Sequence, residues 1–367
     1  MAMNILVAGG GYAGVLAANR LSRHADVTLI NPRDAFVERI RLHQLAAGTY
    51  DPVVPFDHVL SSRVRRITAT VETISAPDRT VTLSTGAVLS YDYLVYAVGS
   101  GPAHSSSVAD LSSAQRLFDT HADAVTVVGA GPTGIELAAE LAEQGTTVTL
   151  IGPLNPYLHP RGRAVVADSL TRLGVSMVDA RVTAVTADTV ELADGSTRPS
   201  PVTVWTTGFA VPDLAARSGL TTDPAGRLLT DETLTSVDSP HIVAAGDCAA
   251  PSGRPLRMSC QAAGPLGMAA ADTVIARLSG RDPRPFVMGF LGEGLSLGRR
   301  SGLFQMSGRD DVAVDRHLAG RAGARLKEFV CRSTVWQLGW EARHPGVLRI
   351  PAWMNDRSRR ADYAPAS

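Results

Sequence analysis

As far as about Arg281, short β-branched apolar runs alternate with stretches of helical apolar spacing, and the order of these elements repeats. Ile5–Ala8 reads as a buried strand that breaks at glycine, Val15–Arg23 as a helix, and Asp26–Ile30 as a second strand. The same order returns at Val125–Val128, Ile135–Gln144 and Thr147–Ile151. Each copy then carries short alternating strands: 64–74, 80–84 and 87–89 in the first, 176–185, 189–192 and 196–198 in the second. Thr85 with Gly86, and Asp194 with Gly195, supply the tight turns. Each copy closes on a buried-strand run ending at glycine, Tyr93–Gly99 and Val202–Gly208. His241–Asp247 reads as a further strand and Ala262–Leu278 as an alanine-rich helix. The pattern predicts an α/β chain of two tandem Rossmann-like units, each a βαβ element plus a β-meander, with a smaller C-terminal region. The expected division is 1–110 with 226–282, then 111–225, then 283–367.

In the last region, a helix through Arg321–Trp340 would bring Leu326, Phe329, Val330, Trp336, Gln337 and Trp340 to one side. Arg321, Arg325, Glu328 and Arg332 fall on an adjoining arc, Lys327 flanks the other edge, and His344 to Gly346 stop the helix. The stripe is short and Glu328 dilutes its positive edge. The expectation is packing on the chain's own core or across a homodimer interface, in preference to an anionic membrane surface.

Composition narrows the class. With 367 residues, 45% hydrophobic and 19% charged, the chain is neither disordered nor a small stapled domain. Thirty-five basic and 35 acidic side chains balance to zero, so there is no basic excess to track nucleic acid. Lys327 is the only lysine. Cys248, Cys260 and Cys331 form neither a CxxC pair nor a disulfide framework, which makes a reducing cytoplasm the expected setting. The N-terminus lacks a secretory pattern, and no run of about 18 apolar residues is present to span a membrane. No metal-ligand spacing and no GxSxG occurs.

The chemistry sits in the glycines. Gly9, Gly11 and Gly14, and again Gly129, Gly131 and Gly134, form GxGxxG between a predicted strand and a predicted helix. The first glycine permits the turn, the second lets backbone approach a pyrophosphate, and the third brings helix against strand. The helix N-terminus then stabilises phosphate charge. Two such sites in register suggest two dinucleotides side by side.

These residues resemble the two-dinucleotide-binding-domain flavoproteins, and in pattern the type II NADH dehydrogenase-like branch. The resemblance covers nearly the whole chain. It implies FAD at Gly9, Gly11 and Gly14, and NADH or NADPH at Gly129, Gly131 and Gly134. Gly99 and Gly208 match the short motifs that close each unit, while Gly246 and Asp247 match the acidic motif that meets the flavin's ribityl chain. The segments Phe36–Gln44, which includes Arg39, and Leu295–Gln305 also look like this branch. By the resemblance, hydride passes from nicotinamide to flavin, and electrons then pass to a small-molecule acceptor, quinone-like or a specialised metabolite. A slow-turnover nucleotide sensor or interaction protein is the reading from another class.

There are departures. Where an acid usually ends the second strand, the first copy has Asn31, which can still bond a ribose hydroxyl, and the second has Gly152. Losing that acid removes repulsion toward a 2′-phosphate. Arg161 and Arg163 follow nearby but read as solvated arginines, so NADH versus NADPH stays open. Glu136, just past Gly134, is a candidate for the flavin–nicotinamide junction, or a generic acid suiting the helix dipole. Arg41 and His43 alternate with Ile40 and Leu42, so both could point into one cleft, and Gln261 could face the flavin ring. The cysteines read as small buried hydrophobes.

Overall fold

The computed structural model describes residues 3–104 and 106–362. In the first unit β1 (Asn4–Ala8) leads into α1 (Tyr12–Leu21), β2 (Asp26–Asn31), a turn of 3₁₀ helix at Arg39–Arg41 and α2 (Leu42–Ala46). The strands β3 (Arg65–Thr68) and β4 (Tyr93–Tyr96) follow. The second unit runs β5 (Ala124–Val128), α3 (Pro132–Glu143), β6 (Thr147–Ile151), α4 (Pro160–Arg172), β7 (Ser176–Val178) and β8 (Thr203–Trp205). The chain then returns to the first unit with β9 (Ile242–Ala244) and α5 (Cys260–Leu278).

The first sheet is parallel, in the order β9–β4–β1–β2–β3, and the second is parallel, in the order β7–β6–β5–β8. In each, the first strand lies inside the sheet with its successor on one side and the unit's closing strand on the other. That is a topological switch point, and it opens a crevice at the carboxyl ends of β1 and β5, where open α/β sheets hold ligands. Strands buried on both faces read as continuous apolar runs, and Ile5 to Ala8 are wholly buried. The two meanders, 71–90 and 182–199, form three-stranded antiparallel sheets whose turns carry Gly86 and Gly195 at positive φ. Helix α1 is buried along its whole length and packs on α5, where a side chain at Gly267 would collide with the Ala13 carbonyl.

The C-terminal region is an antiparallel sheet of β10 (Gly292–Ser296), β11 (Gly302–Ser307) and β12 (Ala313–Ala319), followed by the long helix α6 (Gly320–Arg343). The helix forms as expected, but its buried face is not the expected one. Phe329 and Trp336 are 66% and 57% exposed, while Gly323, Lys327, Cys331, Leu338, Gly339 and Glu341 are buried. Within this chain the aromatic stripe is therefore not core. Small residues and ion pairs decide the packing instead. Gly323 lets the helix backbone lie against the Gly302 carbonyl, and Gly339 does the same at His58. Glu341 accepts from Arg20 (3.1 Å) and from the backbone N–H groups of Gly346 (2.7 Å) and Leu348 (3.0 Å). Arg20 also grips Asp272 at 2.6 Å, which ties α1, α5 and α6 together.

Candidate functional site

At the mouth of the first sheet the glycines do three different things. Gly9 turns the chain at φ +107°, a conformation side chains rarely adopt, with the Ala97 carbonyl where a Cβ would go. Gly14 lies so close to the Gly9 carbonyl that no side chain fits. The Cβ direction of Gly11 faces open space at the start of α1, leaving room for a phosphate beside unpaired helix N–H groups. Asn31 stands at the end of β2 as expected, but it braces the loop. Its Oδ1 accepts from Gly10 N–H at 2.9 Å, and its amide donates to the Arg33 carbonyl at 2.8 Å.

Four distant segments converge beside this loop. Ser100 donates to Asp247 Oδ2 at 2.6 Å, and Arg39 donates to Ser100 Oγ at 3.2 Å and to the Ala109 carbonyl at 3.2 Å. The Arg39 guanidinium lies 3.8 Å from Asp247. Gly99 and Gly246, both at positive φ, carry the chain past this cluster from β4 and β9. Sequence reasoning found Arg39, Gly99, Gly246 and Asp247 but missed Ser100, a hydroxyl directly after the closing glycine.

The second mouth repeats the first. Gly129 turns at φ +108°, Gly134 abuts the Gly129 carbonyl, and the Cβ direction of Gly131 is open. Thr206 locks this loop by donating to the carbonyls of Gly129 (2.8 Å) and Val128 (3.1 Å), and Gly208 follows at φ +74°. Gly152 directly follows β6 at φ +138°, with Ala130 N about 3.1 Å from where a Cβ would sit. Arg161 pairs with Asp315 at 3.0 Å, and Arg163 donates to the Pro156 carbonyl at 3.3 Å.

Between the two mouths lies a buried polar junction. Glu136, on the second turn of α3 and 7% exposed, accepts from Lys327 Nζ at 2.8 Å and from Ser296 N–H at 2.9 Å. Lys327 also donates to the Gly294 carbonyl at 3.0 Å, so α3, β10 and α6 meet at one carboxylate. His43 Nδ1 stands 3.8 Å from Glu136, and among the described residues the buried His43 Nε2 has no hydrogen-bond partner. Burial pushes the His43 imidazole down to about 4, with the cations of Lys327, Arg299 and Arg41 adding to it and Glu136 only partly opposing it. The ring is neutral at pH 7. Burial alone would raise Glu136, yet the Lys327 ammonium and His43 hold it below the usual carboxylate range. Burial alone would lower Lys327, and Glu136 outweighs it and raises the ammonium.

Arg41 and His43 are not on one extended face. The segment is a 3₁₀ turn running into α2, and the two side chains separate. Arg41 is 1% exposed and meets Glu328 through two bonds (2.9 and 3.1 Å), as well as Gln44 at 3.0 Å and Glu38 at 3.3 Å. It clamps α2 to α6, while His43 joins the junction. In the amide orientation that satisfies both groups, Gln261 donates to the Gly292 carbonyl (3.0 Å) and accepts from Leu291 N–H (3.1 Å), pinning α5 to β10. The sequence reading also missed Lys327 as a member of the junction. The available signal was that a chain using arginine everywhere else keeps one lysine.

The thiols are scattered. Cys248 is buried with Sγ near the Ala245 carbonyl (3.4 Å), and burial pushes it up to about 12. Cys260 opens α5, and Cys331 is buried on α6, pushed up to about 11 by burial. Among the described residues, no group of three or more His, Cys, Asp or Glu side chains is arranged to hold a metal.

Two glycine-lined helix N-termini, each at the carboxyl end of a parallel sheet, define a protein shaped to hold two nucleotides. The family model for pyridine nucleotide-disulphide oxidoreductases matches residues 3–267, and the chain belongs to that family. It is an oxidoreductase. It is 32% identical to an NADH dehydrogenase-like protein of Mycobacterium tuberculosis, over 74% of this chain and 80% of the relative. It is 25% identical to a type II NADH:quinone oxidoreductase of Staphylococcus aureus, over 91% of this chain and 96% of that one. Among solved structures, the fold is similar to NDH2 of Plasmodium falciparum in complex with NADH (TM-score 0.78, 16% identity, 94% of this chain and 97% of that one). It is also similar to the sulfide:quinone oxidoreductase of Aquifex aeolicus (TM-score 0.76, 21% identity, 94% and 93%).

Proposed function

We propose that this chain is a FAD-dependent NAD(P)H oxidoreductase that passes electrons to a quinone-like acceptor without a redox dithiol. The observation that carries the reading is the doubled mouth, with Gly11 and Gly131 each opening on a helix N-terminus and Glu136 buried between them. The residues fit the cofactors. Gly9, Gly11 and Gly14 with the start of α1 would take the FAD pyrophosphate, while Asp247 and Ser100 offer acceptors for hydroxyls and Arg39 a cation. Gly129, Gly131, Gly134 and Gly208 would line the nicotinamide dinucleotide. The proposed division is a discontinuous FAD domain (1–110 with 226–282), an NAD(P)H domain (111–225) and a C-terminal cap (283–367). The type II NADH:quinone oxidoreductases among the relatives support the acceptor class.

FAD, when bound, would supply the redox chemistry of moving electrons from the nicotinamide nucleotide to the acceptor. The chain's own work is positioning and proton handling. The Glu136–Lys327 pair keeps a fixed charge and an exchangeable ammonium proton in a dry site, where such groups act strongly. Neutral His43 presents Nε2, which in either tautomer can donate or accept one bond to a reacting group. Arg41, through Glu328, holds the C-terminal helix that brings Lys327 to the junction. The test is anaerobic stopped-flow reduction of the flavin-loaded protein by NADH and NADPH, followed by mixing with menadione. Reduction followed by rapid reoxidation supports the proposal. Protein that takes up no FAD, or whose flavin neither nucleotide reduces, overturns it.

A further inference from the structure

The face of α3 that meets the C-terminal sheet carries a second inference, which rests on the proposed oxidoreductase reading. Reducing a quinone-like acceptor to its hydroquinone takes two electrons and two protons. A hydride from the nicotinamide nucleotide brings both electrons and one proton, so one further proton per turnover has to come from solvent. The junction where it is needed is dry, with Glu136, Lys327 and His43 at most 9% exposed. Some group has to carry protons in.

Glu136, Glu140 and Glu143 follow one another at spacings of four and three along α3, so they share one face, with about 5–6 Å between successive Cβ atoms. All three face the end of β10 and the turn after it. Glu136 accepts from Ser296 N–H at 2.9 Å, the Arg299 guanidinium lies 3.7 Å from Glu140, and Arg299 N–H donates to Glu143 at 2.5 Å. The row runs from a half-buried end at Glu143, beside the exposed Arg299, to the buried junction. Glu140, in the middle, is wholly buried and poorly satisfied. Its Oε1 accepts from Thr49 Oγ1 at 2.5 Å, but among the described residues its Oε2 has no hydrogen-bond partner. Arg299 stands equally far, 3.7 Å, from Glu328, so its charge is shared. Burial, with Glu143 and Glu136 adding to it, raises the Glu140 carboxyl, and Thr49 and Arg299 only partly oppose this. We propose that Glu140 is a proton relay, linking solvent at the Glu143 end of α3 to Glu136 and Lys327. The relay moves no electrons. Once the Lys327 ammonium has given its proton to the acceptor, the amine regains one from Glu140 by way of Glu136, directly or through one water, and the Glu140 carboxylate reloads from solvent.

Infrared titration of the flavin-loaded protein, wild type minus Glu140→Gln, reads the Glu140 carboxyl without turnover. Its protonated band is expected to titrate above about 4.3, the ordinary value for Glu. Anaerobic stopped flow, with reduction by NADH or NADPH and reoxidation by menadione, reads the relay. Wild-type reoxidation is expected to slow as pH rises through the infrared midpoint, because the relay works from the loaded acid. Thr49→Val removes the hydroxyl that favours the charged form, so it should move both midpoints upward together. Glu140→Gln keeps a bond to Thr49 and should slow reoxidation by about tenfold or more and abolish that pH step, with no matching loss in flavin reduction. An infrared midpoint at or below about 4.3 overturns the relay, as do midpoints that part company in Thr49→Val. A Glu140→Gln protein that loses reduction and reoxidation alike also overturns it, since that is the mark of a structural acid. Thr49→Val keeps the carboxyl, so its two midpoints decide where Glu140→Gln does not fold. If neither nucleotide reduces the wild-type flavin, the proposed activity fails and the relay with it. If wild type cycles and Glu140→Gln matches it, only the relay fails.

Discussion

The single lysine of the chain sits in a buried ion pair that joins three elements. Lys327 is buried, and its ammonium is held by Glu136 and the Gly294 carbonyl. Removing one partner of a buried pair leaves an uncompensated charge, which costs about 3–5 kcal/mol. Lys327→Met is therefore expected to lower stability by about that much in urea unfolding at pH 7. Glu136→Gln in the same chain should restore at least half, because the orphaned charge is gone. A Lys327→Met protein as stable as wild type would show that the pair is solvated. His43 adds a pH dependence whose sign is fixed by its surroundings. The folded imidazole is held near 4, against about 6.5 in an unfolded chain, so the unfolded state binds the extra proton first. Stability contributed by the neutral ring is complete above about pH 6.5 and lost as pH falls toward 4. The total is ~3 kcal/mol if the whole shift is realised. Glu136, held below the usual carboxylate range, loses its contribution further into acid, in the same direction. His43→Gln should flatten the slope of unfolding free energy between pH 6.5 and 4. An unchanged slope would mean that the imidazole is protonated in the native state.

At the scale of elements, the two glycine loops should fail independently. Gly11→Trp fills the open space at the start of α1 and is expected to give colourless protein. Gly131→Trp should keep the yellow FAD complex but lose reduction by either nucleotide, with visible absorbance and stopped-flow traces as the two readouts. A Gly131→Trp protein that folds and reduces at the wild-type rate would remove the second mouth from the mechanism. These elements were legible in the sequence because each is locally determined. A β-branched run, three glycines at fixed spacing and an apolar helical period specify strand, loop and helix without outside help. What could not be read was set by partners far away along the chain. The Ile40–His43 stretch alternates like a strand, yet Arg41 reaches Glu328, 287 residues away, as well as its neighbours Glu38 and Gln44, while His43 lies beside Glu136, and a helical turn delivers the two side chains to those places. The buried face of α6 was misjudged for a related reason. Hydrophobic periodicity ranks Phe329 and Trp336 above Gly323 and Lys327. Close backbone approach and a buried ion pair reverse that order, and neither is visible until the helix meets its neighbours.

The consequence for the whole molecule is an aromatic stripe left facing outward. Phe329 and Trp336 are exposed, and Trp340 stacks on Trp336 at 5.4 Å between ring centroids. Exposed arginines border the stripe at positions 321, 325, 332 and 343. Glu328, which in sequence dilutes the positive edge, is consumed by its bonds to Arg41 and Arg332, so its charge is balanced locally. Among the described residues, no helix is long and apolar enough to cross a membrane. A half-exposed aromatic row edged by arginine has the composition of a surface that lies in the headgroup region of an anionic bilayer. The quinone-like acceptor proposed above would dissolve in that bilayer, so such contact would place the protein beside it. The expected outcome is flotation with phosphatidylglycerol-containing vesicles but not with pure phosphatidylcholine, weakening as salt screens the arginines. Phe329→Ser with Trp336→Ser should lower the binding constant at least tenfold, because each aromatic gives up part of the roughly 1.5–3 kcal/mol that full burial is worth. Both residues are solvent-facing in the fold, so flavin content and thermal stability should hold. Wild-type protein that stays with the unbound fraction on both vesicle types, and sediments as a dimer which the double substitution splits, would assign the stripe to a second copy of the chain instead.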